Sequence, residues 1–135
     1  MGTPPYTIVT GDREWPARYT YSPAVRVGNL LFISGTTATD EDNQLVGRGD
    51  VSAQTRQIFR KFERLLAAVG ASCDNIVQTV DYIVTTENYR TTAAVRREFF
   101  KHAFPTATGV IVAGLLREGA LIEISAIAVI PGSSA

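Results

Sequence analysis

The sequence is poor in the residues that most active-site chemistry relies on. Cys73 is its one cysteine, so no intramolecular disulfide can form and no cysteine cluster can hold zinc, a pattern that suits an intracellular setting. His102 is its one histidine and sits in Phe99-Phe100-Lys101-His102-Ala103-Phe104, away from any metal-ligand or nucleophile-elbow spacing. No G-x-S-x-G is present, which argues against a Ser-His-Asp hydrolase. Net charge is missing too: 13 basic residues balance 13 acidic ones. The global attraction of a typical nucleic-acid binder is therefore absent, and so is the repulsion that keeps identical copies apart. No apolar run approaches the roughly 18 residues of a membrane span. Asp12, Arg13 and Glu14 precede any long apolar run, and Tyr6 stands where a myristoylation signal needs Ser or Thr. A cytoplasmic protein without signal peptide or membrane anchor is expected.

What is present suffices for one core. At 135 residues, 45% hydrophobic and 19% charged, the chain makes a single domain over 1–135, with segments 1–17 and 131–135 peripheral. Tyr6 to Thr10 is a short β-type run, and Arg18 to Tyr21 is a second candidate after the loop Gly11 to Ala17. Ala24 to Val27, the turn dipeptide Gly28-Asn29 and Leu30 to Ser34 read as a hairpin. Thr36 to Gly49 is an exposed loop. Asp50 caps a helix over about 51–69, whose apolar residues recur at spacings of three and four until Gly70. A buried strand over Ile76–Thr85, a helix over Thr91–Phe104, and strands over Thr108–Leu115 and Leu121–Ile130 complete the order β-β-α-β-α-β-β. This is an α+β fold with a mixed sheet and both helices on one face. In the last strand Ile122, Ile124, Ala126, Ala128 and Ile130 point one way, and the other face is still too apolar for water. Self-association through that second face is the simplest way to cover it.

Glu123 is the charge of most interest, because it lies between Ile122 and Ile124 on that second face. Partial desolvation raises a carboxyl pKa, which suits a general acid or base acting on a bound water. An ion pair with an arginine across a subunit interface, or a place at the strand's rim, is the structural alternative. Ser34 and Gly35 end a strand where a sheet often presents backbone to a ligand, although a simple turn explains them equally. Tyr21 and Tyr82 offer hydroxyls on apolar rings. Cys73 has no adjacent cation and reads as inert. His102 reads as a cation at a helix C-terminus or a surface residue. Arg56, Arg60 and Arg64, with Arg97 and Lys101, form a basic helical face, more simply a solvated surface than a nucleic-acid site.

Several segments, in order, resemble the Rid family of reactive intermediate deaminases, also called YjgF. These are Val27-Gly28-Asn29-Leu30-Leu31-Phe32-Ile33-Ser34-Gly35, the helix opening Asp50-Val51-Ser52-Ala53-Gln54-Thr55, Phe104-Pro105, and Ile122-Glu123-Ile124-Ser125-Ala126-Ile127-Ala128-Val129. The resemblance spans about Tyr21 to Val129. It implies a chorismate-mutase-like fold, a homotrimer and clefts between subunits in which water hydrolyses a small imine or enamine without a cofactor. It also implies that Glu123 and Tyr21 are catalytic and that Ser34 and Gly35, with Thr106, Ala107 and Thr108, bind substrate. The family's deaminases place a carboxylate-binding arginine where Ala107 stands, a cysteine at Gly109 and an asparagine at Ala93. Two readings follow: a specialised deaminase, for example of a 2-aminomuconate-like enamine, with Arg26, Arg90 or Arg117 or the Thr106 and Thr108 hydroxyls replacing the arginine; or a protein of the same fold that binds a small metabolite without turnover. A small-molecule substrate and other copies of the chain are the expected partners. No metal, membrane or nucleic acid is expected.

Overall fold

The computed structural model describes residues 2–132, so the end of the expected peripheral tail, Ser133 to Ala135, lies outside the described residues. The strands are β1 (Thr7–Val9), β2 (Ala24–Val27), β3 (Leu30–Thr36), β4 (Ile76–Ile83), β5 (Thr106–Ile111) and β6 (Ile122–Val129). The helices are α1 (Val51–Ala67) and α2 (Thr92–Phe99). One sheet takes the order β1-β2-β3-β6-β4-β5, antiparallel throughout except for the parallel pair β4 and β5. The amino-terminal segment is thus not wholly peripheral, since β1 forms one sheet edge.

Local sequence explains most of these elements. Gly28 takes φ +60 at the tip of the β2–β3 hairpin, a conformation that suits glycine. Asp50 accepts the Ala53 amide at 3.0 Å and starts α1 where the capping rule places it. Val51, Ile58, Phe59, Phe62 and Leu66 then bury one stripe of α1 against the sheet. Leu31 and Ile33 of β3 and Ile122, Ile124, Ala126 and Ala128 of β6 join the same cluster, as does Val95 of α2. Both helices therefore cover one sheet face.

Three expectations need correction. Arg18 to Tyr21 is not a strand; its aromatic rings pack on one another in a loop. β5 starts at Thr106 and stops at Ile111, short of Leu115, and Leu116 beyond it is fully exposed. Finally, α2 ends at Phe99 rather than Phe104. The amides of Lys101 and His102 turn to Asp74 Oδ1, at 2.7 and 3.3 Å, and Phe104 is kept from helical backbone by Pro105. Lys101 and His102 therefore sit off the helix, with the imidazole 3.7 Å from Asp74.

The uncovered face is apolar in rows. Ile8, Val25, Phe32 and Ile127 are successive cross-strand partners on β1, β2, β3 and β6. Val27, Leu30 and Val129 form the next row. Phe32, Ile8, Val77 and Val110 are among the exposed large apolar residues of the single chain.

Candidate active site

At the far end of this face the rows turn polar. β3 carries one residue more than β6 between the pairs Ile33–Ala126 and Thr36–Ile124. This bulge sets Gly35 against the carboxylate of Glu123. A Cβ added at Gly35 would lie 2.6 Å from Glu123 Oε2, so only glycine leaves room for the carboxylate in this position. Glu123 is half-buried, pairs in register with Tyr82 of β4, and makes no ion pair among the described residues. Within one chain, the ion-pair reading of Glu123 therefore has no partner.

Ser34 is tied to the segment before β2: its hydroxyl donates to Ser22 O at 2.6 Å and its amide to Pro23 O at 2.9 Å. Those bonds hold Tyr21 beside the corner. Burial, then the neighbouring Tyr19, then the charge of Glu123 push the Tyr21 phenol above its ordinary pKa, so it stays protonated and can donate at neutral pH. Trp15 donates its indole N–H to Tyr21 O at 2.7 Å, and the Trp15, Tyr19 and Tyr21 rings pack with centroids 4.9 to 5.6 Å apart. A cavity of about 420 Å³ opens between this aromatic group and the β3 corner, lined by Tyr21, Ser34, Gly35 and Lys61 among others.

Tyr21, Ser34, Gly35 and Glu123 thus meet in one chain. Thr106, Ala107 and Thr108 do not join them. They lie on β5, two strands from β6, opposite Gln78, Thr79 and Val80, whereas Glu123 is level with Tyr82 and Val110. Two strand spacings alone put them roughly 10 Å away. Thr106 also donates its hydroxyl to Val77 O at 3.0 Å. The arginines considered as substitutes are placed elsewhere: Arg26 bonds Gly28 O of its own hairpin, Arg117 bonds Asn43 O, and Arg90 does not line the cavity. Two of the five cations of the expected basic helical face are paired, Arg56 with Glu98 and Arg64 with both Asp12 and Glu41.

Sequence reasoning passed over two groups. Lys61 falls in the apolar row Ile58–Lys61–Leu65, where a cation is out of pattern, and that was the available signal. It donates to Thr36 Oγ1 at 2.6 Å, Thr37 O at 2.8 Å and Thr39 Oγ1 at 2.8 Å, behind the Gly35 corner. Asp81 shares the inward phase of Thr79 and Ile83 on β4, and its Oδ2 receives Tyr89 Oη and Arg96 Nη2. Burial raises its pKa, while Arg96 and Tyr89 work against that rise. Among the described residues no cluster of His, Cys, Asp and Glu is placed to hold a metal ion, and no helix is long and apolar enough to cross a membrane.

A family model described as Endoribonuclease L-PSP matches residues 12–130. The chain belongs to the Rid family. Among Rid relatives, the 3-aminoacrylate deaminase RutC of Acinetobacter baylyi is 30% identical over 124 residues, covering 92% of this chain and 98% of that protein. A RutC family protein of Pyrococcus horikoshii is 32% identical over 108 residues, covering 80% and 85%. Solved Rid structures share the fold. The Rid protein YyfA of Yersinia pestis has a TM-score of 0.83 at 29% identity over 93% of this chain and 99% of its own. RidA from an Antarctic Psychrobacter has a TM-score of 0.81 at 29% identity, over 92% and 99%.

Proposed function

We propose that the chain is a cofactor-independent hydrolytic deaminase of small enamines or imines, working in clefts between the subunits of a homotrimer. The observation that carries this reading is the Glu123 carboxylate seated on the bare backbone of Gly35, beside Tyr21 and Ser34. The RutC relative's named activity on 3-aminoacrylate supports the reaction class. In this reading an enamine first takes a proton on carbon and gives one up from nitrogen, becoming an imine. Water then adds to the imine carbon, giving a carbinolamine. Glu123 accepts the water's proton and returns one to nitrogen; the C–N bond breaks, ammonia leaves and a carbonyl remains. The protonated Tyr21 phenol donates to the developing polar group, and Ser34 holds the segment that carries it. Trimer assembly would bring β5 of one subunit, with Thr106 to Thr108, to the Glu123 corner of another. The apolar rows of the open sheet face supply a contact surface for such assembly.

Ammonia release from 3-aminoacrylate formed in situ is the test. Glu123→Gln keeps the size and hydrogen-bonding reach of the side chain and removes the base. Turnover should fall about 100-fold to 10,000-fold with the oligomer intact. Full activity with a lowered melting temperature would make Glu123 a structural residue. Ala107 offers no side-chain donor where a carboxylate-binding arginine would stand, which favours a second reading, ligand binding without turnover. No ammonia release from either 3-aminoacrylate or 2-iminopropionate, with binding retained, would support that second reading.

A further inference from the structure

The Lys61 ammonium is partly buried and bonded only to three neutral oxygens, and it forms no ion pair among the described residues. A cation held out of water without a counter-ion is costly unless an anion completes the site. Thr36 Oγ1 passes its own hydrogen to Thr37 O at 3.3 Å, whereas the Thr39 hydroxyl, which also lines the cavity, is free to donate. The other charges around the cavity are largely accounted for. Arg64 binds Asp12 and Glu41, and Asp40 Oδ1 accepts the amides of Asp42 and Gln44. Glu14 and Arg18 add one charge of each sign, with Arg18 over the Tyr19 ring, and the Tyr21 phenol, its pKa raised, is neutral. Arg13 makes its one side-chain bond to a main-chain oxygen, Glu41 O, at 3.1 Å. Lys61 and Arg13 thus line one cavity with Trp15, Tyr19 and Tyr21, and neither is in salt-bridge contact with an acid among the described residues, although Asp12 lies near Arg13.

We propose that Lys61 and Arg13 receive the carboxylate of a small planar anion in this cavity, on the Tyr21 side of the corner, a site that Gly35 lines and Glu123 does not. The anion site does not rest on the deaminase reading, since Glu123 is outside this cavity's lining. The direction of the Lys61 titration agrees. Burial first and the positive charge of Arg13 second push its amine down to about 8, so a bound anion gains most while the amine is protonated, below that pH.

The probe is crotonate, a planar carboxylate that lacks a hydrolysable nitrogen, followed by calorimetry and by the fluorescence of Trp15, the chain's one tryptophan. Binding to the whole protein is expected at pH 7, weakened at least about tenfold in Lys61→Met and restored in Lys61→Arg. Arg13→Gln, at a more exposed site, should cost about threefold. In the parent, affinity should fall by up to about tenfold per pH unit once the pH exceeds the Lys61 pKa. If Lys61→Met fails to fold, Arg13→Gln and the pH series carry the test. Affinity that ignores both substitutions and stays flat from about pH 7 to 10, or no binding at about 100 mM probe, overturns the proposal. Turnover of 3-aminoacrylate with crotonate binding indifferent to Lys61 would refute the anion site alone. Lys61-dependent binding without turnover of any enamine would refute the deaminase reading alone.

Discussion

Gly35 decides what Glu123 can do, because a single methyl group there would fall 2.6 Å from the carboxylate oxygen. The backbone at Gly35 does not need positive φ, so Gly35→Ala should fold normally and displace only the carboxylate. We expect a loss of about 100-fold in kcat on the true substrate, the scale of a misplacement near 1 Å, with little change in melting temperature. An active Gly35→Ala would mean that Glu123 works from another position. At Cys73, burial followed by the nearby charges of Glu63 and Asp74 pushes the thiol up to about 12. It is protonated and hidden at pH 8, so a disulfide reagent should label it only as fast as the protein opens. The same shift links folding to alkali. The stability it provides is fully present below the unfolded thiol's pKa of 9.0 and is lost as pH rises towards 12. Cys73→Ala should therefore flatten the fall in unfolding free energy above pH 9 by up to about 1.4 kcal/mol per pH unit, read from urea titrations.

At the level of elements, β6 is aligned by Gln54, a fully buried polar side chain of α1. Its amide nitrogen donates to Gly47 O and Gly119 O, both at 3.2 Å, and its carbonyl accepts the Leu121 amide at 2.8 Å. Gln54→Leu strands two carbonyls and one amide two residues before Glu123, and should cost at least about 3 kcal/mol in urea unfolding. A cost under about 1 kcal/mol would show that water replaces the clamp. Periodicity made α1, the β2–β3 hairpin and β6 legible in the sequence, because each depends on near neighbours: an Asp cap, a glycine turn, strict alternation. α2 was misjudged at its end, since Asp74 of a distant turn captures the chain there and no local pattern announces it. Glu123, Gly35, Ser34 and Tyr21 were legible as separate residues and through family resemblance. That a bulge sets Gly35 on Glu123, and that Lys61 stands behind both, depends on strand register and helix placement, which spacing along the chain does not encode.

On the scale of the whole molecule, the open sheet face carries ordered apolar rows with no net charge on the chain to resist contact between copies. Light scattering on a sizing column should give three chains per particle, and Phe32→Glu, in the middle of the longest row, should give smaller species that lose turnover. A wild-type monomer at micromolar concentration would leave the cleft incomplete and refute that arrangement. The sheet's parallel edge has a further consequence for the protein's handling in the cell and in the tube. Thr106 to Ile111 is exposed along its whole length, uncharged and rich in β-branched residues, and Pro105 before it is the nearest residue that resists intermolecular strand pairing. A single chain therefore presents a free edge on which a strand of another chain can pair. Variants that weaken assembly should be lost to precipitation and to chaperone and protease triage before they are seen as inactive enzymes, and their solubility will report on association more sensitively than their melting curves.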